Sequence, residues 1–249
     1  MESIDRHQEE ILSNQQRWNQ KPVLRRIYKG FHKRISDYLP SQLDGKIIEI
    51  GSGIADISET IPNCLRTDLF PNPWIDQVEN AYRLSFPDRS VSAIILFDVF
   101  HHLRYPGRAL QEFNRVLMDE GHLIIFDPGI SLLGRLVYGP FHPEPLALKE
   151  PLTWSAPEGW SPDDLDYYAA QGNAHRVFLR GEFTYPGWEK LQAKRYAEVS
   201  YVASGGYSKP QMYPDFLFPL VKRIDKVLDL FPMLFGTRLL VVLKKTSTP

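Results

Sequence analysis

A chain of 249 residues with a single cysteine, Cys64, cannot close an internal disulfide. Its stability must come from an apolar core, and a lone cysteine on a predicted strand reads as a buried apolar filler, consistent with a reducing cytoplasm. No run of about 18 apolar residues occurs, so no membrane-spanning helix is expected. The N-terminus is charged from Glu2 onward and lacks an apolar core, which predicts no secretory signal and a cytoplasmic location. The seven histidines show no ligand spacing beyond the adjacent pair His101-His102, and the acids are scattered, so no metal site is expected. With 29 Lys and Arg against 30 Asp and Glu the net charge is −1, so no global field recruits nucleic acid. Internal repeats and low-complexity tracts are missing as well. What remains is a chain long enough to bury roughly three quarters of its unfolded surface, as one large domain or one domain with an insertion.

Lys46 to Asp68 is the most informative stretch. An apolar strand stops on Glu49-Ile50-Gly51-Ser52-Gly53, and after a short helical span a second strand stops on the carboxylate Asp68. Gly51 and Gly53 let the backbone turn off the strand and let a ligand lie against bare main chain. Asp68 at the end of the neighbouring strand can accept two hydrogen bonds from a ribose diol. A nicotinamide dinucleotide wants a third glycine where this chain has Asp56, and a carboxylate beside a pyrophosphate would repel it, with Glu49 a second acid close by. A cofactor carrying a sulfonium and an ammonium, with no phosphate, suits these acids better. S-adenosylmethionine fits that description.

Lys46 to Ile50, Cys64 to Asp68, Ala93 to Phe97 and His122 to Phe126 are short apolar runs bounded by turn residues, as strands buried on both faces should be. Helical spacing lies between them, clearest at Leu110, Phe113, Val116 and Leu117. The pattern predicts an α/β fold, a Rossmann-like doubly wound and mostly parallel sheet, with its ligand crevice at the carboxyl ends of the strands. Gly51, Asp68, Asp98 and Asp127 all fall at such ends.

In these residues the chain resembles the class I S-adenosylmethionine-dependent methyltransferases. Glu49, Gly51 and Gly53 match the family's first motif, with Ala55 in place of its last glycine, and Asp68 matches its ribose-binding acid. Asn80-Ala81-Tyr82 and the residues to Asp88 resemble the segment over the adenine ring, with Asn80 where an aspartate is usual. Val91 to Leu103, ending Asp98-Val99-Phe100-His101-His102-Leu103, is similar to the fourth strand and its loop. The resemblance spans about residues 45 to 130. It implies an enzyme using S-adenosylmethionine, a last strand inserted antiparallel, and cofactor contacts from Glu49, Gly51, Ser52, Gly53, Asp68, Leu69, Asn80, Ala81, Tyr82 and Asp98. The place where amino-methylating members carry Asn/Asp-Pro-Pro-aromatic holds Asp98-Val99-Phe100-His101, which turns the expectation from nucleic acid to a small-molecule acceptor, saccharide- or lipid-linked among the candidates.

Four segments follow: 1–44, a basic amphipathic helical segment; 45–130, the cofactor-binding core; 131–195, an acceptor-side insertion rich in Pro and aromatics; and 196–249, strands and a helix completing the sheet. In the first, Lys21, Arg25, Arg26, Lys29 and Lys33 accompany apolar residues at helical spacing, which permits contact with an anionic membrane, although such a face more often packs on its own domain. In the last, Tyr196 to Ala203 and Leu239 to Leu243 read as strands, and Phe216, Leu217, Leu220, Val221, Ile224, Val227 and Leu228 as a helical stripe more often turned to the core than to a membrane, with a lipid-facing role left open by the added apolar area of Phe218, Phe231 and Phe235. Methyl transfer is chiefly alignment and water exclusion, and an oxygen acceptor also needs its proton removed. His101 and His102 are placed to do so, with His142 and Glu144 next in line. The alternative is a non-catalytic module that binds the same cofactor as a regulator or partner; a nicotinamide oxidoreductase is disfavoured.

Overall fold

The computed structural model describes residues 12–164 and 167–247. Seven strands form one sheet in the order β3-β2-β1-β4-β5-β7-β6. β1 (Lys46–Ile50), β2 (Cys64–Asp68), β3 (Gln77–Val78), β4 (Val91–Phe97) and β5 (Leu117–Pro128) run parallel, β7 (Arg238–Lys245) lies antiparallel beside β5, and β6 (Trp188–Tyr196) is antiparallel to β7. The four strand runs read from apolar periodicity thus fall on β1, β2, β4 and β5, and the last strand is inserted antiparallel as expected. β4 is buried along its whole length, which is why Ala93 to Phe97 reads as an unbroken apolar run; the buried Ser92 hydroxyl donates to the Gly45 carbonyl.

The sheet is covered on both faces. On one, α3 (Pro106–Val116) sets Leu110, Phe113 and Val116 against Ile94, Leu96 and Leu123. On the other lies α2 (Pro22–Ser36), which follows the helical residues 12–20 (α1). Pro22 in the first turn and Lys33 and Arg34 in the last match the orphan groups and dipole of a helix. Its apolar face is spent on the domain itself: Phe31 is 1% exposed and packs against Phe97 and Phe126 with ring centroids 5.8 and 5.0 Å away. The expected membrane contact through this helix is therefore corrected, because the side chains that would enter lipid are in the core.

Three further expectations change. Only a 3-10 turn, Ile57–Glu59, joins β1 to β2, capped by Asp56, whose carboxylate accepts the Ser58 N–H at 2.9 Å. Residues 197–203 are not a strand: the sheet takes Trp188–Tyr196, inside the span assigned to the insertion, and α6 (Val199–Ser204) follows. Asp225 causes this by accepting the Ser200 N–H at 3.0 Å and hydroxyl at 2.5 Å, which fastens the first turn of α6 to α7 (Phe218–Leu228). Finally, the stripe is core only in part: Leu217 and Val221 pack against the core, while Leu220, Ile224 and Val227 on α7 point to solvent. α4 (Leu132–Tyr138), α5 (Asn173–Phe178) and α8 (Pro232–Phe235) complete the chain, α8 lying against α4 and β6.

Candidate active site

A cavity of about 1100 Å³ opens at the carboxyl ends of β1, β2 and β4. One half is built by backbone. Gly51 and Gly53 turn off β1 with φ of +72° and +54°, and a Cβ at Gly51 would lie 2.4 Å from the Val99 Cγ2. Only glycine satisfies both the conformation and the space there. Ser52 donates its N–H to the Thr67 carbonyl (2.9 Å), and Gly53 donates to Asp68 Oδ2 (3.1 Å), so the turn is tied to the neighbouring strand end. Leu69 and Ala55 line the wall beside it.

Glu49 lies beneath this turn, 2% exposed, and its Oε2 has no hydrogen-bond partner. Burial pushes its carboxyl up to about 8, against a smaller opposing effect from Ser52 and Arg66. A buried acid with an idle oxygen at the cavity floor is a receptor for a cation. Asp56, by contrast, lies outside the cavity wall, capping its turn and pairing with Arg66 at 3.4 Å. Asp56 therefore stands outside the ligand space and contributes nothing to discrimination against a pyrophosphate.

Over the opposite wall, Asn80 accepts the Tyr82 N–H at 2.9 Å and donates Nδ2 to the Pro162 carbonyl at 2.8 Å. Its amide is engaged at both ends, so Asn80 holds the insertion down over the strand ends. Ala81 and Tyr82 continue the wall, and Trp160 sits 5.0 Å from both Tyr82 and Tyr105. The neighbouring acid Glu79, 4% exposed, accepts from Gln77 (2.6 Å) and from the Ser85 N–H (2.9 Å) and also lines the cavity.

The other half of the cavity carries the titratable groups. Asp98, at φ +56°, is paired with Arg238, itself 1% exposed with its guanidinium 4.3 Å over the Tyr201 ring. His101 is 3% exposed, and its Nδ1 lies 3.0 Å from Asp127 Oδ1 while its Nε2 is 3.7 Å from Glu144. Burial works against charge on this imidazole, but Asp127 outweighs it and holds the pKa above the ordinary 6.5. His102, its ring 4.1 Å from that of His101, is driven the other way, to about 4, by burial and by His101. Its Nδ1 donates to the Tyr168 carbonyl at 3.0 Å, so it is neutral and fixed in one tautomer. His142 is lowered by burial and accepts the Glu144 N–H at 3.2 Å. Glu144 accepts from Tyr167 and Gln171, and the nearby histidines hold its pKa low in spite of burial.

Every residue singled out in the sequence for the site lines this one cavity. Of the insertion aromatics, Trp160, Tyr167 and Tyr168 reach it; Trp154 stacks on Phe183 at 4.8 Å and His175 packs beside Arg195, both elsewhere. Glu79, Asp127 as the partner of His101, and Arg238 carry no motif. Their only signals are an acid next to Asn80, an acid ending β5, and a lone cation at the head of the apolar strand β7. The ligand-type atoms of His101, His102 and Glu144 lie within 4.8 Å of one another, a convergence of donors that spacing along the chain does not reveal.

Residues 54–125 match the sequence model of the methyltransferase domain family. No curated protein matches the chain. The fold is similar to that of a SAM-dependent methyltransferase from Archaeoglobus fulgidus (14% identity, TM-score 0.54, 89% of this chain and 94% of that one). It is also similar to a methyltransferase solved in complex with the Trm112 methyltransferase activator of Haloferax volcanii (14%, TM-score 0.52, 89% and 91%). A third likeness is to a SAM-dependent methyltransferase from Thermotoga maritima (14%, TM-score 0.50, 92% and 94%). At this identity the likeness establishes the fold, and the domain match covers the part of the chain that holds β4 and the histidine pair.

Proposed function

We propose that this chain is a class I S-adenosylmethionine-dependent methyltransferase, a reading supported by the domain match and the fold, and that it methylates a hydroxyl of a small-molecule acceptor with His101 as general base. The observation that carries the reading is His101, held on the buried Asp127: its imidazole lines the same cavity as the Gly51–Gly53 turn and Glu49 with its idle oxygen. When bound, the cofactor supplies an electrophilic methyl group on a sulfonium sulfur. The chain does the rest. Gly51 and Gly53 offer bare backbone, Asp68 offers its carboxylate to a ribose diol, and Glu49 opposes the ammonium. Asp127 keeps the His101 Nδ1–H oriented, so Nε2 takes the acceptor's proton as the oxygen attacks, and the imidazolium formed is steadied by the buried carboxylate. Tyr138, Phe141, Trp160, Tyr167 and Tyr168 make an aromatic acceptor wall suited to a flat ring or a sugar face, and the insertion excludes water. A purely regulatory binding module is not favoured, since such a module has no use for a histidine base held on a buried acid.

The test is calorimetric titration with S-adenosylhomocysteine, followed by labelled-methyl transfer to a panel of hydroxylated acceptors. Asp68→Ala should weaken nucleoside binding by about tenfold or more. His101→Gln should bind the nucleoside normally while losing on the order of 10²–10⁴ in kcat. Absence of nucleoside binding would overturn the cofactor assignment, and an unchanged kcat would overturn the base.

A further inference from the structure

An apolar face is left uncovered next to the cavity mouth. Leu220, Ile224, Val227 and Phe231 recur at helical spacing along α7 and into the turn after it, and all are exposed. α8 adds Met233 and Leu234, and the adjoining α4 adds Leu132 and Leu136, the former 67% exposed. Soluble surfaces scatter such side chains singly; a set that runs along α7 through Phe231 into α8, which packs on α4, marks an interaction surface. The set continues into the site, because Phe141 and Met212, 65% and 80% exposed, also line the cavity.

Charge identifies what covers this face. Arg135, Arg223 and Lys226 are exposed on α4 and α7 and have no ion pair among the described residues. The acids of α7 are turned inward: Asp225 is 2% exposed and bonded to Ser200 and Lys222, and Asp229 accepts the Ala197 N–H at 2.7 Å. An apolar stripe flanked by free cations, its acids consumed internally, is the pattern of a helix lying in the headgroup region of an anionic bilayer. A twofold pairing with a second copy would instead bring these cations together with no acid to face them.

We propose that α4, α7 and α8 seat this protein peripherally on an anionic membrane surface, with the cavity mouth between Phe141 and Met212 turned to the lipid. The acceptor is then a membrane-resident, lipid-linked hydroxyl compound that enters from the bilayer. This second part rests on the methyltransferase reading; the docking itself does not.

The experiment is co-sedimentation of the full chain with vesicles of phosphatidylcholine containing about 30% phosphatidylglycerol, against phosphatidylcholine alone. Binding should favour the anionic vesicles and fall with salt. The triple variant Leu220→Ser, Ile224→Ser, Val227→Ser should lose about tenfold or more. Arg223→Glu with Lys226→Glu should lose on the order of fivefold per charge and abolish the anionic preference. S-adenosylhomocysteine affinity should be unchanged in both, which shows that they are folded and separates a failed docking from a failed enzyme assignment. No vesicle binding by the wild type, vesicle binding that survives the triple variant, or a wild-type dimer dissociated by that variant would each overturn the docking surface, the last in favour of a second copy. With docking intact, labelled methyl appearing in the organic phase of vesicles made from total membrane lipid supports the lipid-linked acceptor, and label confined to water overturns it.

Discussion

Glu49 makes cofactor binding depend on pH in a way that can be measured without knowing the acceptor. The carboxyl is buried, one oxygen has no partner, and burial raises its pKa to about 8 from an ordinary 4.5. At neutral pH the empty site therefore holds a neutral acid. A ligand ammonium set against Oε2 favours the carboxylate, so binding expels the proton. Affinity for S-adenosylhomocysteine should then rise about tenfold per pH unit up to about pH 8, on the order of a hundredfold between about 6 and 8, and level off above. Titrations in two buffers of different ionisation heat should show close to one proton released per ligand near the lower end of that range. The same group sets apo stability with a definite sign. Its folded pKa is raised, so stability is full below about 4.5 and is lost as pH climbs to about 8, at about 1.4 kcal/mol per unit. Glu49→Gln should weaken binding at pH 8, remove the slope, and raise the melting temperature of the empty protein at alkaline pH. A flat affinity profile in the wild type, or an equal slope in the variant, would refute the reasoning.

Four further outcomes follow from the geometry. A general base must be neutral, and Asp127 holds His101 above 6.5, so kcat/KM should rise with pH through a value above that; Asp127→Asn removes the largest effect opposing burial and leaves only the weaker pull of Asp98 and Glu144, so the profile should move to lower pH while its plateau drops, and an unmoved profile would separate His101 from catalysis. Gly51→Ala forces a Cβ against Val99 at a φ of +72°, so nucleoside affinity should fall by about tenfold or more in titration while the far-ultraviolet circular dichroism stays native. Because His101, His102 and Glu144 converge, activity should be assayed with and without a chelator: the base role expects no change, and a loss restored by zinc would transfer these side chains to a metal. Phe31→Ala removes a ring packed on Phe97 and Phe126 at the centre of the second core, and should cost about 3–5 kcal/mol in denaturant unfolding.

The central parallel strands were legible because burial on both faces favours apolar residues: Val91–Phe97 has no water-facing side to encode, whereas the two-residue β3 left no such signal. The donor half of the site was legible for a different reason, since the backbone turn needs glycine and Gly51 and Gly53 stand only two positions apart at the end of an apolar strand. Two things were not. The fate of residues 197–203 was decided by Asp225, more than twenty residues away, which captures Ser200 and makes a helix of a segment whose local composition reads as strand. The stripe on α7 has the periodicity of a core helix, and periodicity records only that a face is apolar, not what covers it. The partnership of His101 with Asp127 was hidden because the two lie on separate strand ends, joined by the parallel register that sets Phe97 beside Phe126.

The two halves of the cavity come from different kinds of structure, and the junction between them governs the reaction. The donor half is fixed by turns at strand ends, which cannot move without breaking the sheet. The acceptor half belongs largely to the insertion, which is pinned to the donor half at two points: the Asn80 amide on the Pro162 carbonyl, and Arg83 on Asp163 at 2.6 Å. Arg83 and Asp163 are exposed, so their pair adds little on its own, whereas the Asn80 bond is partly sheltered and shares a residue with the wall proposed for the adenine. A nucleoside lying along Asn80-Ala81-Tyr82 therefore bears on the same short segment that holds Trp160 and Pro162 over the site. Occupation of the donor half should steady the acceptor wall, and the order of binding follows: cofactor first, acceptor second, with water excluded only once both are present.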